Sequence, residues 1–214
     1  MESLELMPTR VKITSILKKA IFSGEYKSGQ ELSLTGIAEQ LGVSRTPVRE
    51  AFQSLAAEGL ITLRMNKGAI VNELGIKFIR DNFEMRILLE SEAAAKAAVN
   101  GMDVDELITR LFHMRDNIDF LEKSQYEELN QEIHMGIWNA ADNLKLKSYL
   151  MELWNGPSTG HSIPEIKLHY VKSTEEHISI LQFIQDKKPE EVRKAMTYHI
   201  TRSMDNILKS YQDH

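Results

Sequence analysis

The chain contains no cysteine. Disulfides, thiolate metal sites and a cysteine nucleophile are therefore excluded, and the composition fits a reducing compartment. Proline and glycine are sparse, at 5 and 11 of 214 residues. Long helices are thus permitted and a loop-rich fold is disfavoured. No apolar run reaches the roughly 18 residues that a membrane span needs, and no signal-peptide core follows Met1. These absences lead to the expectation of a cytoplasmic protein without membrane contact. An excess of positive charge is also missing. The net charge is −5, which taken whole argues against a nucleic-acid partner. The distribution reverses that inference. Residues 1–72 hold nine basic against seven acidic side chains, and the remainder holds 17 against 24. Two parts of opposite sign suggest two kinds of partner, and the length allows two small domains.

Hydrophobic periodicity supplies the organisation. Residues 10–23 carry Val11, Ile13, Ile16, Leu17, Ala20 and Ile21 at helical spacing, and Gly24 stops the pattern. GEYKSGQEL reads as a turn. Ser33 can cap a short helix, 34–41, which Gly42 breaks. Ser44 can cap a second helix, 45–58, with Pro47 tolerated in its first turn. Two short alternating runs, LITLR and AIVNEL, flank the turn signal Asn66-Lys67-Gly68, which predicts a hairpin. After Leu74 the strand signals end. Residues 76–99, 103–122, 124–141, 143–154, 164–186 and 189–211 all read as helices with short breaks. The expected fold is mainly α: an N-terminal winged helix–turn–helix over 1–74 with a small β-hairpin wing, then an antiparallel six-helix bundle over 75–214.

The helix at 45–58 carries the first functional signal. At about 100° per residue, Arg45, Thr46, Arg49 and Gln53 share one arc, while Val48, Ala51 and Leu55 lie on the opposite flank. Donor groups on one face and apolar groups on the other suit a helix lying in a DNA major groove. Lys67 and Gly68 at the hairpin tip suit a wing beside the phosphate backbone. A solvated arc with two arginines is the plainer reading of the helix alone; its setting between a glycine turn and a hairpin favours DNA. GVSRTPVREAFQSLAAEGLI followed by NKGAIV resembles the GntR family of bacterial transcription regulators, over about residues 11–71. That resemblance implies that Arg45, Thr46 and Arg49 contact DNA, that Ser44 caps the recognition helix and that Gly68 lies at the wing tip.

Three histidines carry the second signal. Asn130 and His134 share a helix face at i, i+4. His177 lies 11 residues before Lys188 and His199 lies 11 after it. In an antiparallel pair folded at Lys188 the two side chains stand at one height. One Asn and three His then converge in the bundle core, a donor set suited to Zn²⁺ or Ni²⁺. Three separately satisfied core histidines are equally open from spacing alone. Trp138 and Trp154 read as bundle core or as cavity wall.

The second half resembles the FCD domain of FadR-like GntR regulators. The resemblance runs through Phe83-Glu84-Met85-Arg86-Ile87-Leu88-Leu89-Glu90, Asn130 to His134, EEHISIL and His199, and six helices place it nearest the VanR-like subgroup. It implies a divalent metal held by residues 130, 134, 177 and 199. The family carries Asp where this chain has Asn130, so the protein ligands would bring no charge. Metal binding is then weakened, or an anionic effector supplies the charge. Arg86 has two readings, an effector-carboxylate contact in the cavity or an i, i+4 ion pair with Glu90. His113, His161, His169 and His214 read as surface or structural.

The resulting expectation is a ligand-responsive transcription regulator: a homodimeric repressor on a palindromic double-stranded operator, in the bacterial cytoplasm and on the nucleoid when DNA-bound, retuned by a small, carboxylate-like effector near the metal. A direct metal sensor is one rival. A metal-dependent enzyme is another, disfavoured because no acidic residue shares an inward stripe with these histidines at i±3 or i±4.

Overall fold

The computed structural model describes residues 8–65, 68–73, 75–154 and 163–212. Compactness divides the chain into two units, one drawn from Met1–Ile79, Trp154–Gly156 and Leu208–His214, the other from Arg80–Leu153 and Pro157–Ile207.

In the first unit α1 (Thr9–Phe22) and α2 (Leu34–Leu41) both pack on α3 (Arg45–Ala57). Val48, Ala51, Phe52 and Leu55 of α3 are almost wholly buried, as are Ile13, Leu17, Ile21 and Phe22 of α1. Burying side chains of this size stabilises by roughly 1.5–3 kcal/mol each before the entropy of ordering them is counted. Lys18 is also fully buried; its Nζ donates to Glu58 Oε2 at 2.6 Å, which fastens α1 to the end of α3. Ser33 caps α2 as expected, its Oγ accepting from the Gly36 N–H at 3.2 Å. Gly42 ends α2 in the left-handed region at φ 65°, and its N–H returns to the helix carbonyls.

The expected two-stranded wing is a three-stranded antiparallel sheet. Between β2 (Ile61–Arg64) and the two-residue β1 (Glu31–Leu32) lies β3 (Gly68–Val71). The segment read as a plain turn therefore contributes a strand, in which Leu32 pairs with Ala69 and Glu31 with Ile70. Gly68 makes this possible. Its φ is +100°, and a Cβ there would stand 2.0 Å from the Leu32 carbonyl oxygen. Only glycine lets β3 approach β1 so closely. Asn66 and Lys67 lie outside the described residues.

The second unit holds the helices after the wing: α4 (Ile76–Asn100, entering it at Arg80), α5 (Asp105–Asp116), α6 (Lys123–Ala140), α7 (Leu144–Leu153), α8 (Ile163–Gln185) and α9 (Pro189–Gln212, belonging to it as far as Ile207). α5 packs on α8 and α6 on α7. The helix expected over 103–122 stops at Asp116 and is followed by a 3₁₀ turn, Ile118–Phe120. Asn117 stands at the C-cap: its Nδ2 amide donates to the His113 carbonyl at 2.8 Å, beside its own backbone N–H, which is shared between the His113 and Met114 carbonyls. α6 begins one residue before Ser124, through a capping box between Glu122 and Gln125. Trp138 and Trp154 are both buried, at 1% and 3% exposure. No helix among the described residues is long and apolar enough to cross a membrane.

Candidate functional site

On α3 the division expected from periodicity is present. Ser44, Arg45, Thr46, Arg49 and Gln53 are all exposed, and Val48, Ala51 and Leu55 are buried on the other side. The arc is therefore a surface of hydrogen-bond donors mounted on a rigid, packed helix. One expectation is corrected. Ser44 stands at the N-cap position with extended backbone, but its side chain makes no capping hydrogen bond. An N-cap oxygen accepts from the second or third helical N–H. Pro47 occupies the third position and has none. The Ser44 hydroxyl is exposed beside the first turn, where unsatisfied N–H groups and the helix dipole favour an anion.

The three histidines do converge. His134 of α6, His177 of α8 and His199 of α9 are 1%, 1% and 3% exposed, and one ring nitrogen of each lies within 4.8 Å of the others. The Nε2 atoms of His134 and His177 are 3.3 Å apart. Donors at about 2.0–2.1 Å from one zinc ion stand at most ~4.2 Å apart, so a small closure of the three rings would fit an ion. Asn130 is buried one turn before His134, and its Nδ2 has no hydrogen-bond partner. The hydroxyl of Thr174, one turn before His177, is buried and likewise unpartnered. Buried polar groups without partners are uncommon and costly. Here they sit on the helical turns that carry the histidines; the Asn130 Nδ2 donor calls for an acceptor oxygen, and the fit to a cation comes from the three ring nitrogens. The residues present thus fit a divalent ion.

Sequence reasoning missed the carboxylates. Glu90 on α4 is fully buried, and its Oε2 accepts from His134 Nδ1 at 2.5 Å. Glu176, beside His177 in sequence, turns to α9 and accepts from His199 Nδ1 at 2.7 Å. Periodicity reaches only i±3 and i±4 on each histidine's own helix, and both carboxylates arrive from another helix. Each is bound in turn by an arginine. Arg86 Nε and Nη2 donate to Glu90 Oε1 at 2.9 and 2.7 Å. Arg202 Nε and Nη2 donate to Glu176 Oε1 and Oε2 at 2.5 and 2.6 Å. The Arg86–Glu90 ion pair, one of the two readings of Arg86, is therefore present.

Electrostatics follow from this pairing. Burial alone would push the Glu90 carboxyl up, but the Arg86 guanidinium and His134 outweigh it and hold it at about 2. Burial also pushes Glu176 up, and its hydrogen bonds from His199 and Arg202 bring it below the usual range. Burial drives His177 well below its ordinary value, reinforced by His199 and His134. The same burial lowers His199, though Glu176 opposes the shift. His177 and His199 are thus neutral at pH 7, the state a metal ligand needs. Both carboxylates are occupied by an arginine and an imidazole, and neither is left free as a general base.

His169 is buried, as a structural histidine would be: its Nε2 lies 3.2 Å from the Tyr126 hydroxyl and its Nδ1 3.1 Å from Arg202 Nη1. His161 and His214 lie outside the described residues.

Comparison with known proteins places both halves. The family model of the bacterial regulatory proteins of the gntR family matches residues 9–71, and that of the FCD domain matches residues 81–202. The HTH-type transcriptional repressor RspR of Escherichia coli (strain K12) is 27% identical over 218 residues, covering 96% of this chain and 92% of its own. The Nta operon transcriptional regulator of Aminobacter aminovorans is 27% identical over 197 residues, covering 87% and 89%. Among solved structures, E. coli McbR/YncC shares the fold with a TM-score of 0.66 at 23% identity, over 97% of this chain and 99% of the other. The RspR and Nta operon relatives are transcription regulators. The chain belongs to the GntR family of bacterial transcription regulators, with a winged helix–turn–helix followed by an FCD domain.

Proposed function

We propose that the chain is a homodimeric repressor that binds a palindromic operator in the bacterial cytoplasm and is retuned by a small anionic effector bound at a metal in its helical half. Residues 1–74 would form the DNA-binding module and 75–214 the effector-binding and dimerising module, of the VanR-like type. The observation that carries the DNA reading is the exposed donor arc of α3, backed by a fully buried apolar face. Arg45, Thr46, Arg49 and Gln53 read base edges, Ser44 bonds phosphate at the helix start, and the wing tip at Lys67 and Gly68 lies along the backbone.

The metal reading rests on the three converging imidazoles, with Asn130 buried one turn before His134. His134, His177 and His199 would hold Zn²⁺ or Ni²⁺, with the Asn130 carbonyl oxygen as fourth donor. The charge count defines the effector. Glu90 is balanced by Arg86 and Glu176 by Arg202, so the ion's two positive charges stay uncompensated by the protein. A carboxylate approaching the ion restores balance where charge is expensive to bury. Arg86, with five donors on its guanidinium, would meet that carboxylate beside Glu90. Effector binding changes operator affinity only as far as it favours one placement of the two recognition helices over another.

Gel shifts with DNA from beside the protein's own gene test the reading, with chelator-stripped and metal-loaded protein and a panel of small carboxylates. Retarded DNA that a carboxylate releases supports it. A direct metal sensor remains a second reading because the site is already complete in nitrogen donors; there the metal alone, without carboxylate, would change the shift.

A further inference from the structure

Two histidines of the cluster are held in the same way by elements that share no sequence pattern. On one side the chain of contacts runs Arg86, Glu90, His134. Arg86 occupies Oε1 of Glu90 and leaves Oε2 to His134 Nδ1. On the other side it runs Arg202, Glu176, His199, with Oε2 of Glu176 reached by both Arg202 Nη2 and His199 Nδ1. An ionised carboxylate only accepts hydrogen bonds. Each bonded Nδ1 must therefore carry the proton, and the neutral ring then has its lone pair on Nε2. For His134 that atom faces the cluster, 3.3 Å from His177 Nε2. His177 has no carboxylate partner among the described residues.

We propose that Glu90 and Glu176, each anchored by an arginine, are positioning residues that fix His134 and His199 in the tautomer presenting Nε2 to a divalent ion. This rests on the reading above that the histidines hold a metal. Each arginine keeps its carboxylate ionised, because a buried protonated carboxyl would become a donor and favour the wrong tautomer. Each carboxylate also makes its imidazole a stronger donor to the metal, a partial offset for the neutral Asn130. Outer partners of this kind are worth roughly 10–100-fold in metal affinity.

The two arms are not equivalent. Glu90 is sealed in the core, whereas Glu176 is 12% exposed and lines a cleft of about 410 Å³ with Lys172, Ser179 and Tyr198. Substitution at 176 is therefore the gentler probe. The test uses the full-length chain, stripped by chelator, as wild type, Glu176→Gln and Glu176→Ala. Zn²⁺ affinity is read against a competing chromophoric chelator, Co²⁺ geometry by its visible absorption, and the His199 tautomer by nitrogen-15 NMR of the metal-free protein. The wild type should show one tautomer, protonated at Nδ1. Glu176→Ala should mix the tautomers, lower Zn²⁺ affinity roughly 10–100-fold and alter the Co²⁺ spectrum. Glu176→Gln keeps an acceptor oxygen and loses the charge, so it should keep the tautomer and lose part of the affinity. Should the alanine variant not fold, the glutamine variant decides: unchanged affinity overturns the proposal. So does wild-type affinity with a single tautomer in Glu176→Ala. A wild-type chain that takes up neither ion removes the metal reading itself, and a mixed tautomer in the metal-free wild type removes the positioning role independently.

Discussion

Glu90 Oε2 lies 2.5 Å from His134 Nδ1, although the two residues stand 44 positions apart in the chain, with α5 between them. The hydrogen bond joins the first long helix after the wing to the helix bearing the first histidine of the cluster. A buried carboxylate and a buried imidazole that depend on each other in this way make the helical unit sensitive to acid.

Acid should unfold the helical unit in two stages. His177 and His199 have folded-state values below the ordinary 6.5, so protonation favours the unfolded chain. Their contribution is complete above about 6.5 and declines as the pH falls below it. Glu90 is held at about 2 against an ordinary 4.5. Its contribution is present above 4.5 and is lost as the pH falls from there toward 2. Urea midpoints of metal-free protein from pH 7.5 to 3.5 should fall in both windows. His177→Gln should flatten the upper window alone; an unchanged upper slope would show that His177 does not titrate with unfolding.

Arg49→Ala should leave the fold intact and cripple operator binding. Its side chain is exposed on α3, opposite buried Val48 and Leu55, so core packing is untouched. Removing the base-edge hydrogen bonds of one arginine at each of two half-sites costs about 1–3 kcal/mol apiece. Fluorescence anisotropy on labelled operator reads the weakening, and circular dichroism checks the fold. Wild-type affinity would take Arg49 off the reading surface.

Gly68→Ala should destabilise the wing. The substitution meets the Leu32 carbonyl at 2.0 Å and holds alanine at φ +100°, a backbone cost of about 1–3 kcal/mol before the clash is relieved. Separation of β1 from β3 is the expected result. Hydrogen exchange at the Val71 amide, which donates to the Gln30 carbonyl beside β1 at 3.0 Å, and thermal melting report it, and Zn²⁺ affinity should not change. Wild-type protection at Val71 would show that β1 yields without loss.

Asn130→Asp should tighten divalent metal binding and weaken a carboxylate effector. The new oxygen carries charge toward the ion and competes with the effector for its field. In metal-free protein the added carboxylate is buried without a compensating ion and should lower the melting temperature. Calorimetric titration of Zn²⁺ into both proteins measures the first effect. Equal affinities would show that residue 130 does not face the ion.

What the sequence revealed, and what it hid, follows from the range of each interaction. The α3 arc was legible because helical periodicity is local: Val48, Ala51 and Leu55 repeat at the period that buries one face. The meeting of His177 and His199 was legible because a short turn at Lys188 forces equal heights on the two helices. Strand β1 was not, since two residues make a strand only when a partner 37 or more positions later pairs with them. Glu176 was hidden by a different cause. Its neighbour His177 points into the cluster, and adjacent helical residues point about 100° apart, so it reaches α9 instead. The silent Ser44 cap was readable in principle, because Pro47 removes the third amide before any fold is known.

The most direct measurement is the affinity of the purified full-length chain for its own promoter DNA in three states: metal-stripped, Zn²⁺-loaded, and Zn²⁺-loaded with a saturating small carboxylate. Loaded protein should bind with a midpoint that shifts roughly 5–150-fold when the carboxylate is added, and Glu176→Ala should need roughly 10–100-fold more Zn²⁺ to show that shift. One affinity in all three states, for a promoter that the chain does bind, would contradict the link between the histidine cluster and the operator.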